Sequence, residues 1–245
     1  MNQKQYLTDI LQQQNIALPE RQTEQLLLFY ELLVEKNKVM NLTAITEFEE
    51  VCSKHFADSL SIARLEEFLQ IAERGEKLID VGCGAGFPGL VLAIAYPPLQ
   101  VTLLDSLQKR VNFLCEVIEK LALDNCVAIH GRAEETARKK EHREQYHLAV
   151  SRAVANLATL SEYCLPFVKQ DGLFVAYKSG KVKEEAPLAE DAIRLLGGMF
   201  ERQEEFYLTQ AAGGNDYRNL YMVRKKHPTP SKYPRRAPLP STKPL

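Results

Sequence analysis

The sequence predicts an α/β domain built on a seven-stranded, mostly parallel sheet and preceded by a helical segment. From residue 77 onward, short apolar runs alternate with stretches of helical periodicity, which is typical of strand–helix–strand units covered on both faces. Residues 4 to 69 have the pattern of helices instead. The chain has 245 residues, 45% of them hydrophobic, so it can bury a sizeable core.

The elements follow in chain order. Pro19 is a suitable start for a long helix, and Thr46 with Glu49 has the spacing of a capping box ahead of another. Five strands are expected at Lys77–Val81, Val101–Leu104, Cys126–His130, His147–Val150 and Leu173–Tyr177, with helices at Leu90–Tyr96, Lys109–Leu121 and about Asn156–Cys164. Two more strands, Met199–Leu208 and Asn219–Lys225, are expected as a hairpin-like pair joined by the loop Gln210–Tyr217.

Charge and proline content separate a C-terminal tail from the body. We expect a helical segment over residues 1–70, the α/β domain over 71–227 and a basic, proline-rich tail over 228–245. Residues 217–245 hold eight Lys or Arg and no acid, so they carry +8 and the rest carries −9. This asymmetry indicates a phosphate-binding end, or alternatively a solvated and irregular one. The six prolines after residue 227 argue against regular structure there.

Composition excludes several classes of protein. The five cysteines form no CxxC pair, so neither a zinc site nor a disulfide framework is expected, and a reducing compartment is the default. The N-terminus lacks the apolar run of a signal peptide, and no run approaches the ~18 apolar residues of a membrane span. We therefore expect a cytoplasmic protein with no membrane partner and no metal.

The most informative segment is a glycine loop between the first strand and its helix. It runs Asp80-Val-Gly82-Cys-Gly84-Ala-Gly86-Phe87-Pro-Gly, and glycines let such a backbone approach a ligand closely at a helix N-terminus. The carboxyl end of a first parallel strand is where open α/β sheets bind nucleosides.

Two cofactors compete for this loop. Gly84 to Gly89 fits the GxGxxG fingerprint of dinucleotide-binding proteins, but a lone match is weak. The fuller pattern, with Asp80 two positions before Gly82-x-Gly84-x-Gly86, resembles the S-adenosylmethionine loop of Rossmann-like class I methyltransferases. A carboxylate would repel a pyrophosphate, whereas it would attract the ammonium of S-adenosylmethionine. We therefore favour S-adenosylmethionine, with a nicotinamide-dependent oxidoreductase as the alternative.

Acidic residues end the next two strands. Asp105 follows the second strand, where a carboxylate accepts hydrogen bonds from the ribose hydroxyls of a bound nucleoside. Glu134, after the third strand, is placed to meet the adenine ring, although it could equally be a first-turn acid favoured by the helix dipole.

The fourth strand ends in Ser151-Arg152-Ala153, which lacks the Asn/Asp-Pro-Pro-aromatic pattern of amino-directed nucleic-acid methyltransferases. Pyrimidine carbon methylation needs a thiolate, and its one candidate, Cys164, lies about a helix away. A ring nitrogen such as guanine N7 needs no proton removed, so positioning can dominate catalysis. Arg152 could hold the guanine edge or a phosphate, or form a surface salt bridge; Lys178 could touch phosphate or guanine O6.

Taken together, the chain resembles the bacterial 16S rRNA guanine-N7 methyltransferase family, also called glucose-inhibited division protein B. The resemblance covers nearly the whole chain and rests on these segments: Asn37–Thr43, His55-Phe-Ala-Asp58-Ser-Leu, Asp80–Gly89, Gly131–Glu134, Ser151–Ala153, Tyr177–Gly180 and Lys232-Tyr-Pro-Arg235-Arg236. The family tail often continues Arg-Arg-Ala-Gly, whereas here Ala237 precedes Pro238.

The resemblance implies an enzyme acting on 16S rRNA or the small ribosomal subunit, and we expect a monomer. It implies cofactor contacts at Gly82, Phe87, Asp105, Ser106, Ala133, Glu134 and Arg152, beside Asp80 and Gly84 from the loop itself. Candidates for RNA contact are His55, Asp58, Arg218, Lys232, Arg235 and Arg236. His55 and Asp58 share a helix face and either line the substrate cleft or form a local polar pair. A small-molecule methyltransferase and a non-catalytic RNA-binding protein remain as further alternatives.

Overall fold

A seven-stranded, mostly parallel sheet organises the chain, as predicted, and its strands lie in the order β3-β2-β1-β4-β5-β7-β6. The computed structural model describes residues 2–209 and 213–245. The strands are β1 Lys77–Val81, β2 Gln100–Asp105, β3 Cys126–His130, β4 Tyr146–Arg152, β5 Val168–Lys178, β6 Gly198–Thr209 and β7 Asn215–Lys225. The first five are parallel, and β7 lies antiparallel between β5 and β6. Part of the predicted loop before β7, residues 210–212, lies outside the described residues.

The helical front begins with α1 Gln3–Gln12 and α2 Glu20–Met40, the latter starting directly after Pro19 as predicted. The chain then winds through α3 Phe48–Val51, a π-helical segment Cys52–Ala57, α4 Asp58–Leu60, a 3₁₀ turn Ser61–Arg64 and α5 Glu66–Glu73. The predicted capping box at Thr46 is wrong. Glu47 holds the N-cap position without a side-chain bond, and the Thr46 carbonyl accepts the Tyr30 hydroxyl at 3.2 Å.

Helices cover both faces of the sheet. They are α6 Gly89–Ala95, α7 Gln108–Lys120, α8 Ala133–Thr136, α9 Leu157–Cys164 and α10 Val182–Leu195. The helical front packs with α6 and α7 in one apolar cluster, and α9 packs with α10 in the other. Alternate residues of β1 serve the two clusters, since Leu78 belongs to the first and Ile79 to the second.

Residues 226–245 fold back onto the α9 face. Tyr233 and Pro240 are buried there, and the Thr159 hydroxyl donates to the Pro240 carbonyl at 2.9 Å. The expectation of no regular structure is wrong for four residues, because Leu239–Thr242 forms the short helix α11. Within the described ranges, no helix combines the length and apolarity needed to cross a membrane.

Candidate active site

The glycine loop turns from β1 into α6 through three left-handed residues. Gly82, Gly84 and Gly86 have φ values of 75°, 59° and 107°, which residues with a side chain rarely adopt. A Cβ added to Gly84 would have no atom within 4 Å, so this glycine borders open space. A Cβ added to Gly89 would lie 2.6 Å from the Asp80 Cβ. The loop is therefore tightly packed underneath and open above Gly84.

Asp80 lies fully buried below this loop. Its Oδ2 accepts the Gly89 amide at 2.7 Å, whereas no described residue donates to its Oδ1. Burial raises the pKa of the Asp80 carboxyl to about 7, against the opposing effect of the Gly89 amide. A buried acceptor without a donor costs free energy, and a cationic or hydrogen-bonding ligand would satisfy it.

Asp105 ties the second strand to the glycine loop. Its Oδ2 accepts the Gly84 amide and its Oδ1 accepts the Leu107 amide, both at 2.9 Å. Arg110 Nη1 also reaches Oδ2, at 3.5 Å, whereas Oδ1 keeps a further lone pair for a ribose hydroxyl. Ser106, the next residue, is exposed, and its carbonyl lies 3.1 Å from His130 Nε2.

Glu134 completes a row of acids at one edge of the sheet. It sits beside Ala133 at the start of α8 and is 4% exposed. No described residue donates to its buried Oε1, and its Oε2 lies 4.0 Å from Arg132 Nε. Asp80 and Glu134 thus each keep an unmatched acceptor at the carboxyl ends of the first and third strands.

Arg152, at the end of β4, is hydrogen-bonded to residues of the helical front. Its Nη1 donates to Asp58 Oδ2 at 2.6 Å and to the Lys54 carbonyl at 3.2 Å. Its guanidinium carbon lies 5.3 Å from the centre of the Phe87 ring. The next residue, Ala153, adopts a left-handed φ of 56°. Arg152 therefore joins the loop, the front and the fourth strand.

His55 and Asp58 lie in the same cluster, and both contact Arg152. Asp58 also accepts from Arg218 Nε at 3.1 Å, and Arg152 Nη2 lies 3.3 Å from His55 Nδ1. The His55 ring stacks on Phe87, with centroids 4.3 Å apart. Burial lowers the pKa of His55 to about 3, assisted by the Arg152 charge. Both residues line the cleft described next, and both contact Arg152.

A cleft of about 390 Å³ opens beside Arg152, at the ends of β4, β5 and β7. It is lined by Ile45, Lys54, His55, Asp58, Arg152, Ala153, Tyr177, Lys178, Ser179, Lys181, Glu185, Phe206, Arg218, Asn219 and Leu220. Lys178 lines it, and its ammonium is paired with Glu185 at 2.6 Å and donates to the Ala155 carbonyl at 3.1 Å. Sequence reasoning missed Glu185 and Asn219.

The predicted RNA-contact residues fall into three settings. Arg218 lies in the cleft with His55 and Asp58, whereas Lys232 and Arg236 are exposed on the tail. Arg235 is different, because its backbone amide and guanidinium donate to the fully buried carboxylate of Glu162, with Nη2 at 2.6 Å from Oε2. Its charge is already neutralised inside the protein.

Two further chemistries lack a site in the described part of the chain. Cys164 is fully buried, and burial raises the pKa of its thiol well above the ordinary value, so it cannot serve as a nucleophile. No three His, Cys, Asp or Glu side chains of the described residues converge as metal ligands would.

Comparison with known proteins places the chain among RNA methyltransferases. A family model described as GidB, rRNA small subunit methyltransferase G, matches residues 22–211. The ribosomal RNA small subunit methyltransferase G of Lachnoclostridium phytofermentans is 50% identical, over 93% of this chain and 91% of that protein. Its counterpart in Alkaliphilus metalliredigens is 46% identical over the whole of both chains.

Solved structures agree on the fold. A variant of MtNAS in complex with S-adenosylmethionine matches with a TM-score of 0.53 and 18% identity, over 84% of this chain and 76% of that one. A SAM-dependent methyltransferase from Methanosarcina mazei matches with a TM-score of 0.51 and 12% identity, over 66% of this chain and 97% of its own. At these identities the likeness concerns the fold alone.

Proposed function

Because the chain belongs to the rRNA small subunit methyltransferase G family, we propose that it transfers a methyl group from S-adenosylmethionine to N7 of a guanine in 16S ribosomal RNA. One observation carries the proposal. Two buried carboxylate oxygens that have no donor among the described residues, Asp80 Oδ1 and Glu134 Oε1, lie at the carboxyl edge of the sheet that also carries the Arg152 cleft.

The residues present fit the cofactor. In this assignment Asp80 receives the ammonium of the methionine end, and the open face of Gly84 lets the ligand approach the backbone. Asp105 receives the ribose hydroxyls beside the exposed Ser106. Glu134 accepts from the adenine amine, with Ala133 beside the ring. Gly82 and Phe87 complete the wall on the side of the helical front.

The reaction needs positioning rather than proton transfer. When bound, the cofactor would supply a methyl group on a cationic sulfur for transfer to the N7 lone pair. N7 carries no proton, so no base is required. Arg152 is the candidate catalytic residue that orients the base, because Asp58 and the Lys54 carbonyl fix its guanidinium at the cleft. Lys178 is the second candidate, at the opposite wall.

Affinity for RNA would come from exposed cations on the tail and at the cleft mouth. Lys232 and Arg236 on the tail are exposed, and Lys181 lies at the cleft mouth. These charges would contact phosphates and release counterions, so binding would weaken with salt. Arg235 is assigned to the fold instead, because Glu162 holds it. We further propose a cytoplasmic monomer that acts on the small ribosomal subunit.

The test is transfer of a radiolabelled methyl group to small subunits that lack the modification, followed by mapping of the labelled atom. We expect label on N7 of one guanine of 16S rRNA. An Asp105→Ala variant serves as the control for cofactor dependence. Label on an exocyclic amine, a ribose or a pyrimidine would refute the proposal, as would a stabilising effect of NAD in place of S-adenosylmethionine.

A further inference from the structure

Glu185 brings a partly free carboxylate to the substrate cleft. It lies in the first turn of α10, and its Oε2 accepts the Lys178 ammonium at 2.6 Å and the Leu157 amide at 2.8 Å. No described residue donates a hydrogen bond to its other oxygen, Oε1, and the side chain is 22% exposed. An acceptor therefore remains available to a ligand in the cleft.

A second acceptor without a donor lies in the same wall. Asn219 pairs with Lys178 across β5 and β7 and is 1% exposed. Its Nδ2 donates to Gln203 Oε1 at 3.2 Å, whereas its buried Oδ1 has no donor among the described residues. The β5–β7 side of the cleft thus carries two unmatched acceptors.

The cations of the cleft are mostly neutralised inside the protein. Lys54 pairs with Glu50 at 2.5 Å, and both cleft arginines pair with Asp58. Apolar surface from Ile45, Tyr177, Phe206 and Leu220 supplies much of the remaining lining. A cleft with paired charges and apolar walls suits an uncharged, flat base better than a phosphate.

The order of the strands in the sheet indicates which way such a base would face in the cleft. The residues assigned to the cofactor follow β1, β2 and β3, Arg152 ends β4, and Glu185 follows β5. A guanine with N7 directed toward the β1 side therefore turns its opposite edge toward β5. That edge carries the N1–H and the N2 amine, three donors in all, and the β5–β7 wall carries the acceptors.

We propose that Glu185 is a specificity-determining residue that accepts hydrogen bonds from N1–H and the N2 amine of the target guanine, with Asn219 as a further acceptor on the same wall. This inference rests on the proposed function. Adenine would direct its N1 lone pair at the carboxylate and would be repelled. As N7 gains the methyl group, the ring becomes cationic and its N1–H a stronger donor, so the hydrogen bond to Glu185 strengthens in the transition state.

The experiment compares methylation of RNA carrying guanosine or inosine at the mapped position, because inosine lacks only the N2 amine. We expect wild-type kcat/KM to favour guanosine by about ten- to a hundredfold, the value of one charge-assisted hydrogen bond. Glu185→Gln should bring this ratio toward one. An amide has a single acceptor oxygen, and with that oxygen facing Lys178 and Leu157 its NH2 group would face the N–H donors of the base. Glu184→Gln, an exposed neighbour of equal charge, should keep the wild-type ratio.

The outcomes separate the two proposals. If Glu185→Gln slows both substrates equally and keeps the ratio, Glu185 only braces Lys178 and α9, and the inference is overturned. If wild-type label lands elsewhere than guanine N7, the proposed function itself fails. If Glu185→Gln lowers Tm or the affinity for S-adenosylmethionine, the same ratio is measured in Glu185→Asp, which keeps the charge but has a side chain one methylene shorter. An unchanged ratio in Glu185→Asp would then equally overturn the inference.

Discussion

Asp58, in the helical front, accepts a hydrogen bond from Arg152, at the end of β4, over 2.6 Å. The same carboxylate accepts from Arg218 on β7 at 3.1 Å, and it is itself 5% exposed. One acid therefore fixes two arginines from different strands at one cleft. The front is thereby part of the proposed substrate site, and not only a support for the sheet.

Replacing that acid tests the arrangement. Asp58→Asn keeps the shape but leaves two guanidinium groups without their shared counter-charge, so we expect methyl transfer to fall at least tenfold, the effect of about 1.4 kcal/mol. The dissociation constant for S-adenosylmethionine should stay within about twofold, measured by calorimetry. Asp216→Asn, which removes a more exposed carboxylate near Arg218, should change the rate far less. Full activity of Asp58→Asn would remove Arg152 positioning from the mechanism.

Asp105 offers a direct test of the nucleoside pocket. Asp105→Ala removes the proposed acceptor for the ribose hydroxyls and frees the amides of Gly84 and Leu107. We expect the dissociation constant for S-adenosylmethionine to rise more than tenfold. Asp124→Ala, an exposed acid beyond α7, is the control and should leave it unchanged. Equal affinity in both variants would contradict the assignment of Asp105.

Cofactor affinity should depend on pH through Asp80. The pKa of this buried carboxyl is raised to about 7, and only its ionised form attracts the ammonium. Below pH 7 the free protein increasingly holds a proton that binding must release, so the dissociation constant should rise up to about tenfold for each pH unit lost. Titration calorimetry between about pH 5.5 and 7.5 measures the slope. Asp80→Asn should bind weakly with no such dependence, and a flat wild-type profile would refute the role of Asp80.

Arg235 and Arg236 are neighbours in the tail, but we expect their replacement to have very different effects on stability. Arg235→Ala leaves the fully buried Glu162 carboxylate without its charged partner, so the free energy of unfolding should drop by about 3–5 kcal/mol. Denaturant titration measures this loss, and adding Glu162→Gln should recover part of it. Arg236→Ala removes an exposed charge and should change stability by less than about 0.5 kcal/mol.

The Arg236→Ala variant also tests whether the exposed cations of the tail bind RNA. Arg236→Ala should weaken RNA binding and reduce the slope of log affinity against log salt by about one, the effect of one lost phosphate contact. Equal salt slopes for Arg236→Ala and wild type would show that the exposed tail cations are only solvated.

The sequence predicted much of the sheet, and the structure brings three acids predicted to bind the cofactor to one edge of it. β1 and β3 match their predicted bounds to the residue. Asp80, Asp105 and Glu134 were predictable as a group because each lies at or just after the carboxyl end of a strand, and parallel strands bring these ends to one edge. Local periodicity and strand order were enough for this part.

The missed features depend on contacts far apart in sequence. Pro187 inside α10 argues against a helix, so neither that helix nor Glu185 was predicted. The helix forms nevertheless because Val182, Ala189 and Ile193 bury one face against the sheet. The docking of the tail has no local signal either, since Glu162 and Arg235 lie 73 residues apart. Charge content alone suggested a free basic end.

The docked tail has a consequence for trimming the chain. Arg138 and Arg143 donate to tail carbonyls, and Arg235 pairs with the fully buried Glu162. Removing residues 227–245 would therefore strand a buried acid without its charged partner. A truncated enzyme that loses activity would then have to be checked for unfolding before the loss is assigned to RNA binding.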